Sequence, residues 1–291
     1  MTDFFSSPLV LRSLLALFLI SISCGIIGSY VIVKRCSYMV GSISHSLLGG
    51  IGLALFCQQV LHWQWFSPLA GTLLASIFVA SLLTLLTRRN QLSNDVILSA
   101  VWALGMAIGV SFIYAIPGYP VDLTSYLFGD IWLVSTTDLW VMLLMDIIIL
   151  IIVLLFHNRL LYLCFNEEGL RLRGVKADWY LLILHLLIAL TIVQLAQVVG
   201  IVLCLATLIL PAAAATTFLK RMPSIMFFSA LICFFCSSIG LYGGYMWNLP
   251  TGAFIIEIIG GFYLLTIPVC YIIKRYSIYK NKTNNKRIRN A

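Results

Sequence analysis

The residues best placed to do chemistry are ionisable side chains set inside long apolar runs. Hydrocarbon solvates such groups badly, so by default they mark ion pathways or buried pairs. The densest case is the stretch Gly41-Ser-Ile-Ser-His45-Ser-Leu-Leu-Gly49-Gly-Ile-Gly52. As a helix it aligns Ser42, His45, Ser46, Gly49 and Gly52 on one small, polar face, at i, i+3, i+4, i+7 and i+10. At 1.5 Å per residue, His45 lies roughly 15 Å beyond the basic pair Lys34–Arg35, about half the thickness of a bilayer core. A neutral imidazole there can ligate a borderline cation such as Zn²⁺ or Mn²⁺ in transit, with Ser42, Ser46 and Gly49 lining its path. The same face equally suits close helix packing, with His45 as a hydrogen-bonded interior residue.

Two carboxylates raise the same question. Asp146 sits in Leu143-Leu-Met-Asp146-Ile-Ile-Ile and Glu257 in Phe254-Ile-Ile-Glu257-Ile-Ile. Each is a cation ligand, a protonated acid, or the partner of a hydroxyl on a neighbouring helix. His185 lies within an apolar run, and His62 and His157 lie near run ends, with less around them to suggest a ligand. Cys233 and Cys236 form a CxxC whose intervening residues are Phe234 and Phe235; inside an apolar run these read as small buried hydrophobes rather than a redox or zinc pair. No Gly-rich phosphate loop, zincin motif or nucleophile elbow occurs. The chain is therefore expected to be no enzyme, and its energy coupling must come from a partner. The charged stretch from Phe165 to Val175 reads either as a solvated loop with a short helix or as a helix that docks in a groove of a soluble partner.

The elements that must position these residues are membrane spans. Hydrophobic residues make up 62% of the 291-residue chain and charged residues 10%, whereas a soluble domain is about half apolar and a quarter charged. Runs of roughly 20 apolar residues, the length that crosses a bilayer, are predicted at 9–33, 40–61, 66–87, 96–116, 139–156, 179–197, 198–219, 224–246 and 252–273. The pair at 179–219 has an alternative: one long span plus a re-entrant segment, giving eight crossings. Charge favours nine. Lys34–Arg35, Arg88–Arg89, Arg159 to Lys176, Lys220–Arg221 and the tail then share one side, while Asp122, Asp130 and Asp138 lie on the other. Cytoplasmic loops collect Lys and Arg, so the N-terminus is expected outside and the tail inside. The first run is too long for a signal peptide and lacks a cleavage site. Residues 1–273 thus form one membrane domain and 274–291 a basic cytoplasmic tail. That tail accounts for much of the formal net charge of +8, so anionic lipid rather than nucleic acid is the expected partner.

Six blocks in order resemble the zinc/manganese/iron permeases of bacterial ABC transporters. They are Lys34-Arg35 to Gly50; Asp95 to Gly105; Asp122-Leu-Thr-Ser-Tyr-Leu-Phe-Gly129-Asp130; Phe165 to Gly174; Val199-Gly200 to Ala215; and Leu249-Pro-Thr-Gly-Ala253. The resemblance implies an all-α polytopic bundle that imports a divalent metal across the bacterial cytoplasmic membrane, with the metal as cargo and no permanent cofactor. It also implies a second permease subunit, identical or different, cytoplasmic ATP-binding subunits and an extracytoplasmic metal-binding protein. His45 becomes a metal-path ligand, and Glu168 and Gly174 belong to the ATPase-coupling segment. The family often carries an acid four residues before the histidine, where this chain has Gly41. Asp95, Asp122, Asp146, Glu257 or a partner subunit must then complete the site. Asn166 likewise replaces the usual aspartate of the coupling segment. An ABC permease for a metal chelate and an ion-coupled carrier with Asp146 and Glu257 as proton relay remain the rival readings.

Overall fold

A computed structural model of the chain describes residues 7–89, 94–118 and 127–289, with 88–89 and 273–289 as backbone only. The helices in chain order are α1 (Pro8–Lys34), α2 (Ser37–Gln59), α3 (Pro68–Arg89), α4 (Asn94–Tyr114), α5 (Thr136–Phe165), α6 (Glu167–Leu172), α7 (Ala177–Val198), α8 (Cys204–Phe218), α9 (Met222–Trp247) and α10 (Thr251–Arg289). Their ends follow local chemistry. Proline stands in the first turn of α1, and Arg35 closes that helix in the left-handed region at φ 58°. A capping box opens α5: the Ser135 hydroxyl accepts from the Asp138 amide at 3.2 Å, and the Asp138 carboxylate accepts from the Ser135 amide at 3.0 Å.

Contacts along the helices fix their directions. Ser13 of α1 donates to the Ile131 carbonyl at 3.1 Å, Tyr30 pairs with His157 of α5 at 2.7 Å, and Lys34 pairs with Glu167 of α6 at 2.6 Å. α1 and α5 therefore run side by side in the same direction. α7 runs against them, placing Gln194 at Met142 and Tyr180 at Arg159. α2 and α4 are parallel: Ser42 donates to the Leu98 carbonyl at 2.8 Å and Ser46 to the Val101 carbonyl at 3.1 Å.

Eight of the helices are long and apolar enough to cross a membrane. The stretch read as a ninth span at 198–219 is corrected here. It is a turn at 199–203 followed by α8, whose 15 residues reach about 22 Å, short of the roughly 30 Å of hydrocarbon. The turn exists because two glycines meet. Gly200 has φ 90° and Gly129 φ 71°, and a Cβ on Gly129 would stand 2.5 Å from the Val199 carbonyl carbon. The Val202 amide then donates to the Leu127 carbonyl at 3.2 Å. Even so, α8 returns the chain to the basic end. It runs parallel to α10, with Leu203 beside Gly252, Leu210 near Gly260, and the Thr217 carbonyl 3.8 Å from Cys270 Sγ. Lys220–Arg221 thus fall on the same side as Lys34–Arg35, as the charge pattern requires. α10 also continues through the end of the last apolar run to Arg289, so the backbone of the basic tail up to that residue is helical.

Candidate functional site

α2 is the most densely glycine- and serine-bearing span, and α4 lies directly on its small face. Ser42, Ser46 and Gly49 are all set against α4, where a Cβ on Gly49 would reach the Gly105 carbonyl at 3.1 Å. His45 is half-buried in the same seam. Its ring stacks on Trp102 of α4, with centroids 4.3 Å apart and planes at 11°, and its Nδ1 is buried without a hydrogen-bond partner. Trp102 also explains the residue four positions earlier: a Cβ on Gly41 would stand 2.9 Å from Trp102 Cζ3 and 3.0 Å from Leu205 Cδ1. The indole fills the space that an acidic side chain would need. On the other side of Ser46 and Gly49, an apolar cleft of about 480 Å³ opens between α2, α3 and α4.

The other candidate ligands are scattered. Asp146 is 6% exposed and bonded within this chain: Ser23 of α1 and Gln194 of α7 both donate to its Oδ1, the latter at 3.0 Å. Glu257 is exposed on α10, one turn and a half in from Thr251. Asp95 lies in the first turn of α4, where the helix dipole favours a carboxylate. Asp122 lies outside the described residues. Among the described residues, no three His, Cys, Asp or Glu side chains come together as a metal-ligand set. His185 is buried against Thr84, Nδ1 to Oγ1 2.6 Å, and His157 is taken by Tyr30.

At the basic end, α6 forms a short projection. The Asn166 side chain accepts from the Gly169 amide at 2.8 Å, so asparagine does the capping work of the aspartate it replaces. Glu167 bonds Lys34 at 2.6 Å and Arg171 at 2.9 Å, and Arg171 also reaches Asp178 at 3.2 Å. Partial burial works to raise the Glu167 carboxyl, but Lys34 and Arg171 outweigh it and hold the carboxyl below its ordinary range. Gly174 closes the projection at φ 75°. Glu168, Phe165 and Leu172 are exposed, Leu172 by 89%.

Residues 6–269 match the family described as the ABC 3 transport family. The chain belongs to it. Among relatives, a Chlamydia trachomatis protein named a probable metal transport system membrane protein is 39% identical, over 89% of this chain and 88% of its own length. The manganese transport system membrane protein MntC of Halalkalibacterium halodurans is 29% identical, over 84% of this chain and 82% of its own. Among solved structures, PsaBC from Streptococcus pneumoniae, in complex with Fab, superposes with a TM-score of 0.79 at 25% identity, covering 91% of this chain and 93% of that one. This ABC 3 chain is thus a multi-pass helical membrane protein. Three residues that organise its two ends escaped the sequence reading. Trp102 and Glu167 lie within recognised blocks, but nothing in their spacing announces a ring stack or an ion pair. Gln194 stands in the sequence as a polar residue within an apolar run, with nothing to mark its partner.

Proposed function

We propose that the chain is the membrane-spanning permease subunit of an ABC importer that carries a divalent metal ion across the bacterial cytoplasmic membrane, with manganese the first candidate cargo. The observation that carries this reading is the buried, unpartnered Nδ1 of His45, inside a spanning helix of an ABC 3 chain. A cation entering hydrocarbon must trade hydration for protein ligands that can release it again. A neutral imidazole offers that exchange without fixing a charge in the bilayer.

Further ligands are to be found on a second permease subunit. Glu257 supports this, because an ionisable group on the outside of a spanning helix is costly against lipid and belongs at a protein interface or a watered cavity. Asp122, which the charge pattern sets on the side opposite the basic loops, would add a carboxylate for cargo that an extracytoplasmic metal-binding protein delivers. The projection from Phe165 to Gly174, with Glu168 and Leu172 exposed, is the docking element for cytoplasmic ATP-binding subunits, which hydrolyse ATP. The permease itself makes and breaks no covalent bond.

The test is uptake by the complex reconstituted in vesicles, with Mn²⁺, Zn²⁺ and Fe²⁺ compared at equal ATP turnover. His45→Ala is expected to lower uptake at least about tenfold, equivalent to about 1.4 kcal/mol, while assembly with the ATPase persists. Uptake at the unmodified rate would reduce His45 to a packing residue.

A further inference from the structure

The bonding around Asp146 leaves two atoms over. Gln194 Nε2 donates to Asp146 Oδ1 at 3.0 Å and to the Met142 carbonyl, one turn earlier on α5, at 2.8 Å. Ser23 donates to the same Oδ1. Asp146 Oδ2 and Gln194 Oε1 are then both buried without a partner. Both are acceptors when the acid is ionised, so neither can satisfy the other. Turning the amide over would not help, since it would set an oxygen against Oδ1 and the Met142 carbonyl.

A carboxylic acid and a primary amide pair side by side through two bonds, N–H to one carboxyl oxygen and O–H to the amide oxygen. Here the first bond is present, and the two unpartnered atoms are those the second would join. The surroundings agree. Asp146 is 6% and Gln194 1% exposed, and neither forms an ion pair among the described residues. The groups that reach Asp146 from α1 and α7 are the neutral Ser23 and Gln194. The titratable groups nearby on packed helices are the buried thiols of Cys24 on α1, Cys204 on α8 and Cys233 on α9. None supplies a positive charge to balance a carboxylate, and an unbalanced buried charge is far costlier than a neutral acid.

We infer that Asp146 holds a proton on Oδ2 and donates it to Gln194 Oε1, making a neutral proton site that clamps α5 to α7 and, through Ser23, to α1. This removes Asp146 from the set of metal ligands considered above. It rests on the membrane-spanning reading but not on the identity of the cargo.

Asparagine reproduces both bonds, with its own N–H₂ in place of the acid O–H. Asp146→Asn is therefore expected to keep Mn²⁺ uptake in reconstituted vesicles within about twofold of the unmodified complex, and Asp146→Ala to lower it or to lower folded yield. A carboxylic-acid C=O band in the infrared spectrum of the purified permease at neutral pH should vanish in Asp146→Asn. Loss of uptake in a folded Asp146→Asn permease would overturn the inference, because it would require the charge. So would the absence of that band. Should the unmodified complex fail to carry Mn²⁺ at all, the proposed cargo falls, while the infrared comparison still decides the proton.

Discussion

At the scale of single residues, the seam between α2 and α4 ties specificity to one aromatic ring. Trp102 covers His45 on one side and occupies the room beside Gly41, so the imidazole has no acid of its own helix to share a metal with. Adding Gly41→Asp alone is expected to destabilise the permease by about 1–3 kcal/mol, the usual cost of overpacking, seen as a lowered melting temperature. Combined with Trp102→Ala, the same aspartate gains space at i, i+4 to His45. The double variant should bind Mn²⁺ more tightly than the unmodified chain, measured by equilibrium binding to the purified protein. His45 was legible from sequence as a histidine on a small helix face. Its partner was not, because a stack between two helices depends on how they are turned toward each other. The same limit separated Glu168, which the block pattern singled out, from Glu167, which makes the bonds.

At the scale of elements, length and apolarity located the spans well, since α1 at Pro8–Lys34 was expected at 9–33. They misjudged 198–219, because an apolar run carries no record of where its backbone turns. Val199-Gly200 was the available sign, and its meaning depends on Gly129 lying across it. Gly200→Ala is expected to cost about 1–3 kcal/mol, as the left-handed backbone strains any side chain and the neighbouring Leu127 carbonyl stands 2.5 Å from the added carbon. Thermal unfolding in detergent would measure it. At the other end, the Glu167 carboxyl is held below its ordinary range. Its contribution to stability is therefore complete above the ordinary glutamate range and is lost as the pH falls through the lowered value. Melting temperature should decline over that acid interval, and Lys34→Met should make the decline shallower. The difference should stay under about 1 kcal/mol, since the pair is partly open to water.

At the scale of the whole molecule, the parallel course of α8 and α10 carries Lys220–Arg221 back to the basic end. A maleimide that cannot cross membranes should therefore label Arg221→Cys in inside-out vesicles and not in right-side-out ones; the reverse result would refute the topology. The bundle has a mechanical consequence as well. α5 is 30 residues long, about 45 Å, and it is fastened to α1 at Ser23, Tyr30 and Lys34. Two rods bonded along their length bend far less than either alone, so a sideways push on α6 tilts the pair instead of flexing it. α7 is fastened to α5 at both Asp146 and Arg159, so it moves with the pair. A displacement imposed on α6 at the basic end is therefore shared by α1, α5 and α7 and carried as one movement to the opposite end of the bundle.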